Sequence, residues 1–315
     1  MKYSVIVPIY NTHQEFSLML ETFKDIANRR SDFELIIIDD GSDEKFHDFY
    51  KATPFVKYIY KENGGVSSAR NVGIRESVGD FLLFLDSDDE YNAYIFETLD
   101  EVVVSAKTSI LFSYEKIYES GKEKKYYLSR NILTGDDILK SYFTKTIPAH
   151  VSSLLYSSVI IKSEGILFDE TVHHCEDLKF IIEYLSKIDM LNTIPSCLYK
   201  YKFRAGSAVN SKFTYKNSTT FDVFNVLYNR FENTSLEPSF NFFYATIYIL
   251  YFKNLLKNKT CDENVIDIMN SNRLILNRKM HCTIDLFSAT IFLLRNVIKF
   301  VPTQLVKFIA NDKGK

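Results

Sequence analysis

The sequence is short of cysteine and has no long apolar run, and each shortage removes a class of protein. Four cysteines, Cys175, Cys197, Cys261 and Cys282, stand in 315 residues with no CxxC pair or other zinc spacing. Neither a disulfide scaffold nor a zinc module is expected, and a reducing cytoplasm is the natural compartment. No stretch reaches the roughly 18 uncharged apolar residues that a spanning helix needs. The nearest approach, PSFNFFYATIYILYF at 238–252, is too short and reads as a buried helix. The opening MKYSVIVPIYN closes its apolar run at Asn11, unlike a secretory leader. A dominant charge sign is also missing: the net charge is −2, without the polybasic signature of a nucleic-acid partner. There is no internal repeat and no low-complexity tract. Neither GxGxxG nor GK[ST] occurs, so dinucleotide and P-loop folds are not indicated.

What is present is the composition of a folded protein, 46% hydrophobic and 25% charged. Its first half alternates. YSVIVPIY, FELIIIDD, VKYIYKE and DFLLFLD are apolar, β-branched runs that read as strands buried on both faces. Between them lie helical spacings: Phe16, Leu20, Phe23 and Ala27 in one segment, a short helix in GSDEKFHDFYK, and GGVSSARNVGIRES after its glycines. Strands alternating with helices predict an α/β fold, a mostly parallel sheet flanked by helices. SILFSYEKIYESGKEKKYYL reads as a strand leading into a hairpin, CEDLKFIIEYLSKI as an amphipathic helix, and SCLYKYKFRAGSAVN as strand then loop. From about residue 214 the pattern is helical, which sets a boundary near 210: a domain over 1–210 and a helical region over 211–315.

Three acidic or polar clusters share one position. VIVPIYN, LIIIDDGS and FLLFLDSDD each end a predicted strand, and parallel strands end on one side of a sheet, where ligands bind. Asp39, Asp40, Asp86, Asp88 and Asp89 therefore crowd one edge. Like charges so close raise one another's pKa, and a cation relieves them. Carboxylates on one face of Mg²⁺ or Mn²⁺ with phosphate oxygens on the other are a common solution, so the edge reads as a metal–diphosphate site. Three other segments are ambiguous from residues alone. NGGVSSARNVGI at 63–74 either presents amides to a phosphate or simply starts a helix. Glu176 and Asp177 either complement a helix dipole or hold a general base at a rigid helix start. Lys202, Arg204 and Ser207 either meet diphosphate oxygens or form a solvated basic loop.

Together these stretches resemble glycosyltransferase family 2 with its GT-A, Rossmann-like fold. The matching segments, VIVPIYN, IIIDDGSDE, KENGGVSSARNVGI, GDFLLFLDSDD, CEDLKF and LYKYKFRAGS, are collinear over about residues 3–210. The resemblance implies that Pro8, Tyr10 and Asn11 frame a nucleotide pocket. It implies that Asp40 meets the nucleobase with Asp39 beside it, and that Asn63, Gly64, Gly65, Arg70 and Asn71 continue the donor site. Asp86 and Asp88 match the family's DXD, with Asp88 the direct metal ligand and Asp86 nearer the ribose. Asp177 matches the catalytic base, supported by Glu176, and Lys202, Arg204 and Ser207 match a diphosphate-facing loop. Lys202 stands where arginine is frequent. The activity implied is inverting transfer from a nucleotide-sugar, most commonly a UDP-sugar, to a hydroxyl of a glycan or polyprenyl-linked acceptor. The setting implied is the synthesis of O-antigen, capsule or exopolysaccharide.

Other readings fit less well. A haloacid-dehalogenase-type phosphatase carries its DxD on an early strand, and a sugar nucleotidyltransferase needs a Gly-rich, basic signature near the N-terminus. A non-catalytic nucleotide-sugar-binding partner of a polysaccharide assembly complex would not need DXD and ED together. Outside the resemblance, residues 270–315 hold eight Lys/Arg against two Asp/Glu, a local +6 that leaves −8 for the rest. LFSATIFLLRNVIKFVPTQLVKFIA at 286–310 is apolar with Arg295 and Lys299 four apart. It suits either an interfacial helix on the anionic inner face of a bacterial membrane or a helix packed on the catalytic domain.

Overall fold

The computed structural model describes residues 1–43, 53–203, 215–258 and 263–302. The chain runs β1 (Tyr3–Ile9), α1 (His13–Ala27), β2 (Phe33–Asp39), β3 (Val56–Tyr60), α2 (Gly65–Glu76), β4 (Phe81–Phe84), β5 (Glu90–Tyr91) and α3 (Ile95–Asp100). It continues through β6 (Ile110–Tyr118), β7 (Glu123–Tyr126), β8 (Asn131–Thr134), α4 (Asp136–Phe143), β9 (Leu154–Ser157), α5 (Ser158–Ser163), α6 (Glu176–Leu185) and β10 (Met190–Phe203). Four further helices follow: α7 (Tyr215–Phe231), α8 (Glu237–Asn258), α9 (Glu263–Ser271) and α10 (Leu286–Ile298). Most of the short helix expected in GSDEKFHDFYK lies outside the described residues.

The four apolar runs form the parallel part of the sheet in the order β3-β2-β1-β4. All seven residues of β1 and of β2 are buried, because helices cover both faces. Val5, Val7, Leu35 and Ile37 point to one side and pack with Phe16, Leu20 and Phe23 of α1. Ile36 and Ile38 point to the other and meet Ala69 of α2. This two-sided burial is why these strands read as unbroken apolar runs. The helix α2 lies close on β1: a Cβ on Gly73 would come within 2.3 Å of Ile6 Cγ2, so only glycine fits there.

Beyond β4 the sheet is mixed. The strand β9 pairs antiparallel with both β4 and β6, while β10 runs parallel to β6 along nine register pairs. That ladder slips between Ile194 and Tyr199, where Pro195 has no N–H to donate. The expected hairpin is β6–β7, joined antiparallel from Tyr114↔Tyr126 to Ile117↔Glu123.

The chain forms two compact units. One comprises residues 1–138, 148–170 and 176–205, and the other 139–147, 171–175 and 206–315. The second unit has an aromatic core, in which Phe143 meets Phe231 and Phe240 edge-on at 5.2 Å. The helix α8 is the buried helix expected at 238–252, with Phe240, Phe242, Phe243, Tyr244 and Tyr248 all interior. Among the described residues, no helix is long and apolar enough to cross a membrane.

Candidate active site

The register Ile9↔Asp39↔Tyr60 and Ile6↔Phe84 brings four strand ends to one edge, as the sequence predicts. The buried Asp39 closes its own turn, accepting the Ser42 N–H at 2.8 Å on Oδ1 and the Tyr58 hydroxyl on Oδ2. Next to it, Asp40 accepts Lys61 Nζ at 2.6 Å and the N–H groups of Gly64 and Gly65 at 3.0 and 2.7 Å. Its carboxylate thus caps α2 and holds those two amides, which the sequence alone leaves open to a phosphate. Asn63 donates to the Asp40 carbonyl at 2.8 Å. Asn11, at φ 53°, exchanges side-chain and backbone bonds with Asp43 and donates its N–H to the Ser42 hydroxyl oxygen, joining the β1 and β2 ends. Tyr10 stands exposed beside them, and Pro8 is buried within β1 opposite Ile38.

The acids after β4 have separate surroundings. Asp86 and Asp88 are half-buried, whereas Asp89 is buried. Asp89 accepts the Tyr199 hydroxyl and the Lys202 N–H, the latter at 2.8 Å, and so fastens β10 to the DXD turn. Burial, followed by the nearby Asp86, holds its carboxyl well above the usual range. Lys202 turns its ammonium to Glu90. Arg204 and Ser207 lie outside the described residues.

The centre of the site is Arg70, whose side chain is 5% exposed. Its Nη2 donates to Asp86 Oδ1 at 2.7 Å, and its Nη1 lies 3.6 Å from Glu176 Oε1. The guanidinium also covers the Phe168 ring at 5.2 Å. Among the described residues, its Nε and Nη1 donors have no hydrogen-bond partner. Burial opposes its charge, but Asp86, Glu176 and Asp177 more than compensate and hold its pKa above the ordinary value. Asp86 shows the reciprocal effect: burial raises it, and Arg70 with His150 bring it below the usual range. Glu176 is pushed up to about 7 by burial and by Asp177, with Arg70 opposing. Asp177 accepts the Leu178 N–H at 2.8 Å at the head of α6.

Asn71, beside Arg70, is committed elsewhere. It donates to the Phe168 carbonyl and to Glu170, both at 2.9 Å, and accepts the Phe168 N–H at 2.8 Å. One member of the cluster has no signal in the sequence. His150 stacks on Tyr199 at 5.2 Å, and burial keeps its pKa low despite Asp177 and Asp86. Its Nδ1 accepts the Ser152 N–H, which leaves Nε2 as the protonated nitrogen of the neutral ring.

Aspartates have carboxylate oxygens that suit a hard divalent cation. Among the described residues, no group of three or more His, Cys, Asp or Glu is placed to hold a metal. Asp86 and Asp88 offer such oxygens at one turn, and Asp86 Oδ1 already accepts from Arg70.

Comparison with known proteins agrees with this geometry. Residues 4–161, half of the chain, match Glycosyl transferase family 2. The uncharacterized glycosyltransferase EpsJ of Bacillus subtilis (strain 168) is 26% identical over 211 residues, covering 63% of this chain and 60% of EpsJ. The poly(ribitol-phosphate) beta-N-acetylglucosaminyltransferase TarS of Staphylococcus aureus (strain Mu50 / ATCC 700699) is 24% identical over 208 residues, 64% of this chain and 35% of TarS. The chain thus spans about three-fifths or less of these relatives. The crystal structure of S. aureus TarS 1–349 in complex with UDP-GlcNAc superposes with a TM-score of 0.65 at 17% identity, covering 99% of this chain and 91% of that one. The strand order, the acids gathered at the strand ends and the extended sequence match lead to one assignment: the chain belongs to glycosyltransferase family 2.

Proposed function

We propose that the protein transfers a sugar from a nucleotide-sugar donor to a hydroxyl of a glycan acceptor, with inversion at the anomeric carbon. The observation that carries this is Arg70. Asp86 of the DXD and Glu176 of the ED pair are 90 positions apart, yet one buried guanidinium bridges them, so donor and base motifs converge. Asp177 takes the acceptor proton: Oδ1 is engaged by the Leu178 N–H, which leaves Oδ2 for the hydroxyl. Burial and Asp177 push Glu176 up to about 7, so it carries less negative charge beside that base than an ordinary carboxylate. Asp88 and Asp86 would hold a Mg²⁺ or Mn²⁺ ion, which when bound stabilises the charge growing on the leaving diphosphate. TarS binds UDP-GlcNAc, which supports a UDP-sugar as donor here.

The test is incubation with a panel of UDP-sugars in Mn²⁺ or EDTA. Metal-dependent release of UDP supports the reading, and nucleotide binding without release in the presence of acceptors favours a binding module instead. Asp177→Asn should retain donor binding and lose about 10²–10⁴ in rate. The raised pKa of Glu176 favours a second assignment, with Glu176 as the base; a larger loss in Glu176→Gln than in Asp177→Asn would establish it.

A peripheral membrane position is also part of this proposal. The helix α10 buries Ser288, Ile291 and Ile298 but leaves Leu286, Leu293 and Val297 exposed, with Phe300 just beyond. Arg295 does not share that surface: it turns inward to the carbonyls of Leu276 and Arg278. The apolar face rather than paired cations therefore supports contact with lipid. Leu293→Asp with Val297→Asp should abolish flotation with anionic vesicles, and unchanged flotation would refute the idea.

A further inference from the structure

The strands beside the acids carry a second array that the donor site does not use. In β6, Tyr114, Lys116 and Tyr118 alternate onto one face, and their register partners in β10 are Tyr199, Tyr201 and Phe203. On the other side of β6, Tyr126 and Lys124 of β7 stand opposite Tyr114 and Lys116. The rings are in contact. Tyr114 stacks on Tyr126 at 4.6 Å and 13°, and Tyr118 meets Phe203 at 5.3 Å. The inner end touches the catalytic cluster, since His150 lies 5.3 Å from Tyr201 and stacks on Tyr199, whose hydroxyl is bonded to Asp89.

Two ammonium groups sit among these rings. Lys116 Nζ lies 3.7 Å above Phe203 and 5.1 Å from both Tyr118 and Tyr201, and Lys124 Nζ lies 4.8 Å above Tyr126. The acids of the same strands are absent from this face. Glu115 and Glu123 alternate to the opposite side, where Lys125 lies 3.7 Å from Glu115. Burial, then the neighbouring Lys124 cation, lowers the Lys116 pKa. Tyr114, Tyr118, Tyr126 and Tyr201 are all half-exposed. Half-exposed rings bearing hydroxyls offer apolar edges and hydrogen bonds together, the combination that suits a sugar ring.

We propose that this strip of rings and lysines, continuous with the Asp86–Asp177 cluster, binds an acceptor glycan that carries negative charge, its sugar units on the rings and its phosphate or carboxylate groups at Lys116 and Lys124. The inference rests on the transferase reading and names the class of its acceptor. Lysine meets a phosphate or carboxylate as a point charge and does not distinguish them, so the test includes both.

The full chain is titrated calorimetrically with a hyaluronan hexasaccharide, a glycerol-phosphate oligomer and neutral maltohexaose. At least one anionic probe should bind, maltohexaose should bind at least tenfold more weakly, and Lys116→Gln with Lys124→Gln should weaken the anionic probe at least tenfold. Tyr118→Phe, which keeps the ring, should weaken it severalfold. If the double variant melts early, the exposed Lys124→Gln alone should still cost at least threefold. Binding within twofold of wild type in the variants, equal binding of maltohexaose, or no saccharide binding would overturn the proposal. So would a concentration-dependent dimer that the lysine changes dissolve. A separate UDP titration keeps the two readings apart: UDP binding without saccharide binding removes only the acceptor strip, and the reverse removes only the donor site.

Discussion

Arg70 is the residue on which most of the site depends. It is buried and it neutralises Asp86 and Glu176 together. Removing one partner of a buried ionic cluster strands the others, at a cost of about 3–5 kcal/mol. Arg70→Met should lower the melting temperature accordingly. It should also raise the pKa of Glu176 above about 7, since Arg70 is the cation that opposes burial there. If Glu176 is the base, the acidic limb of the pH–rate profile should then move to higher pH; with Asp177 as the base, a limb that stays in place is the expected result. At this scale the sequence is legible in part. Asp86, Asp88, Glu176 and Asp177 stand out by residue type and by their place after a strand and at a helix start, and the fold brings Asp86 and Glu176 to one guanidinium. His150 does not stand out, because a single histidine between two irregular segments has no periodicity to interpret. Asn71, beside Arg70 in sequence, points its amide to Phe168 and Glu170, and only the fold reveals that.

At the scale of elements, the parallel strands were legible because two-sided burial writes itself as an unbroken apolar run. The mixed half was less so. The hairpin β6–β7 follows from alternation, but the pairing of β10 with β6 depends on contacts about 80 positions apart. Asp89 shows how such a distant strand is secured. It accepts from Tyr199 and Lys202, more than 100 positions along the chain. Asp89→Ala leaves two donors without an acceptor and should cost about 1–3 kcal/mol for each buried group. Asp89→Asn retains one carbonyl and should lose less, which urea titration of the two variants will resolve. The contact of α2 with β1 gives another test. Gly73→Ala forces a methyl against Ile6 and should destabilise by about 1–3 kcal/mol, through overpacking rather than any lost interaction.

For the whole molecule, charge is balanced locally. The strand-end edge has its own cations in Lys61, Arg70 and Lys202, so the crowded acids expected from sequence are already partly paired within the chain. A second cluster joins Lys2, Arg30, Asp32 and Asp100 near the start of β1. Asp32 is held low by Arg30, chiefly through their hydrogen bond. For Asp100 burial acts upward, and Lys2, Tyr3 and Arg30 outweigh it. Both folded-state pKa values are depressed, so their contribution is complete above the unfolded value near pH 4 and fades as the pH falls through the folded values. Thermal melts between pH 7 and 3 should show this loss, and Asp100→Asn should flatten the acid limb.

The division of the chain into units has a consequence for its synthesis. The aromatic core of the helical unit draws Tyr142 and Phe143 from one end of the chain order and Phe231, Phe240 and Phe243 from the other. Phe143 leaves the ribosome 100 positions ahead of Phe243. At elongation rates of about 5–20 residues per second, its ring waits about 5–20 s for that neighbour. During that interval the nascent chain displays an aromatic surface that later residues must cover, a surface of the kind a chaperone shields.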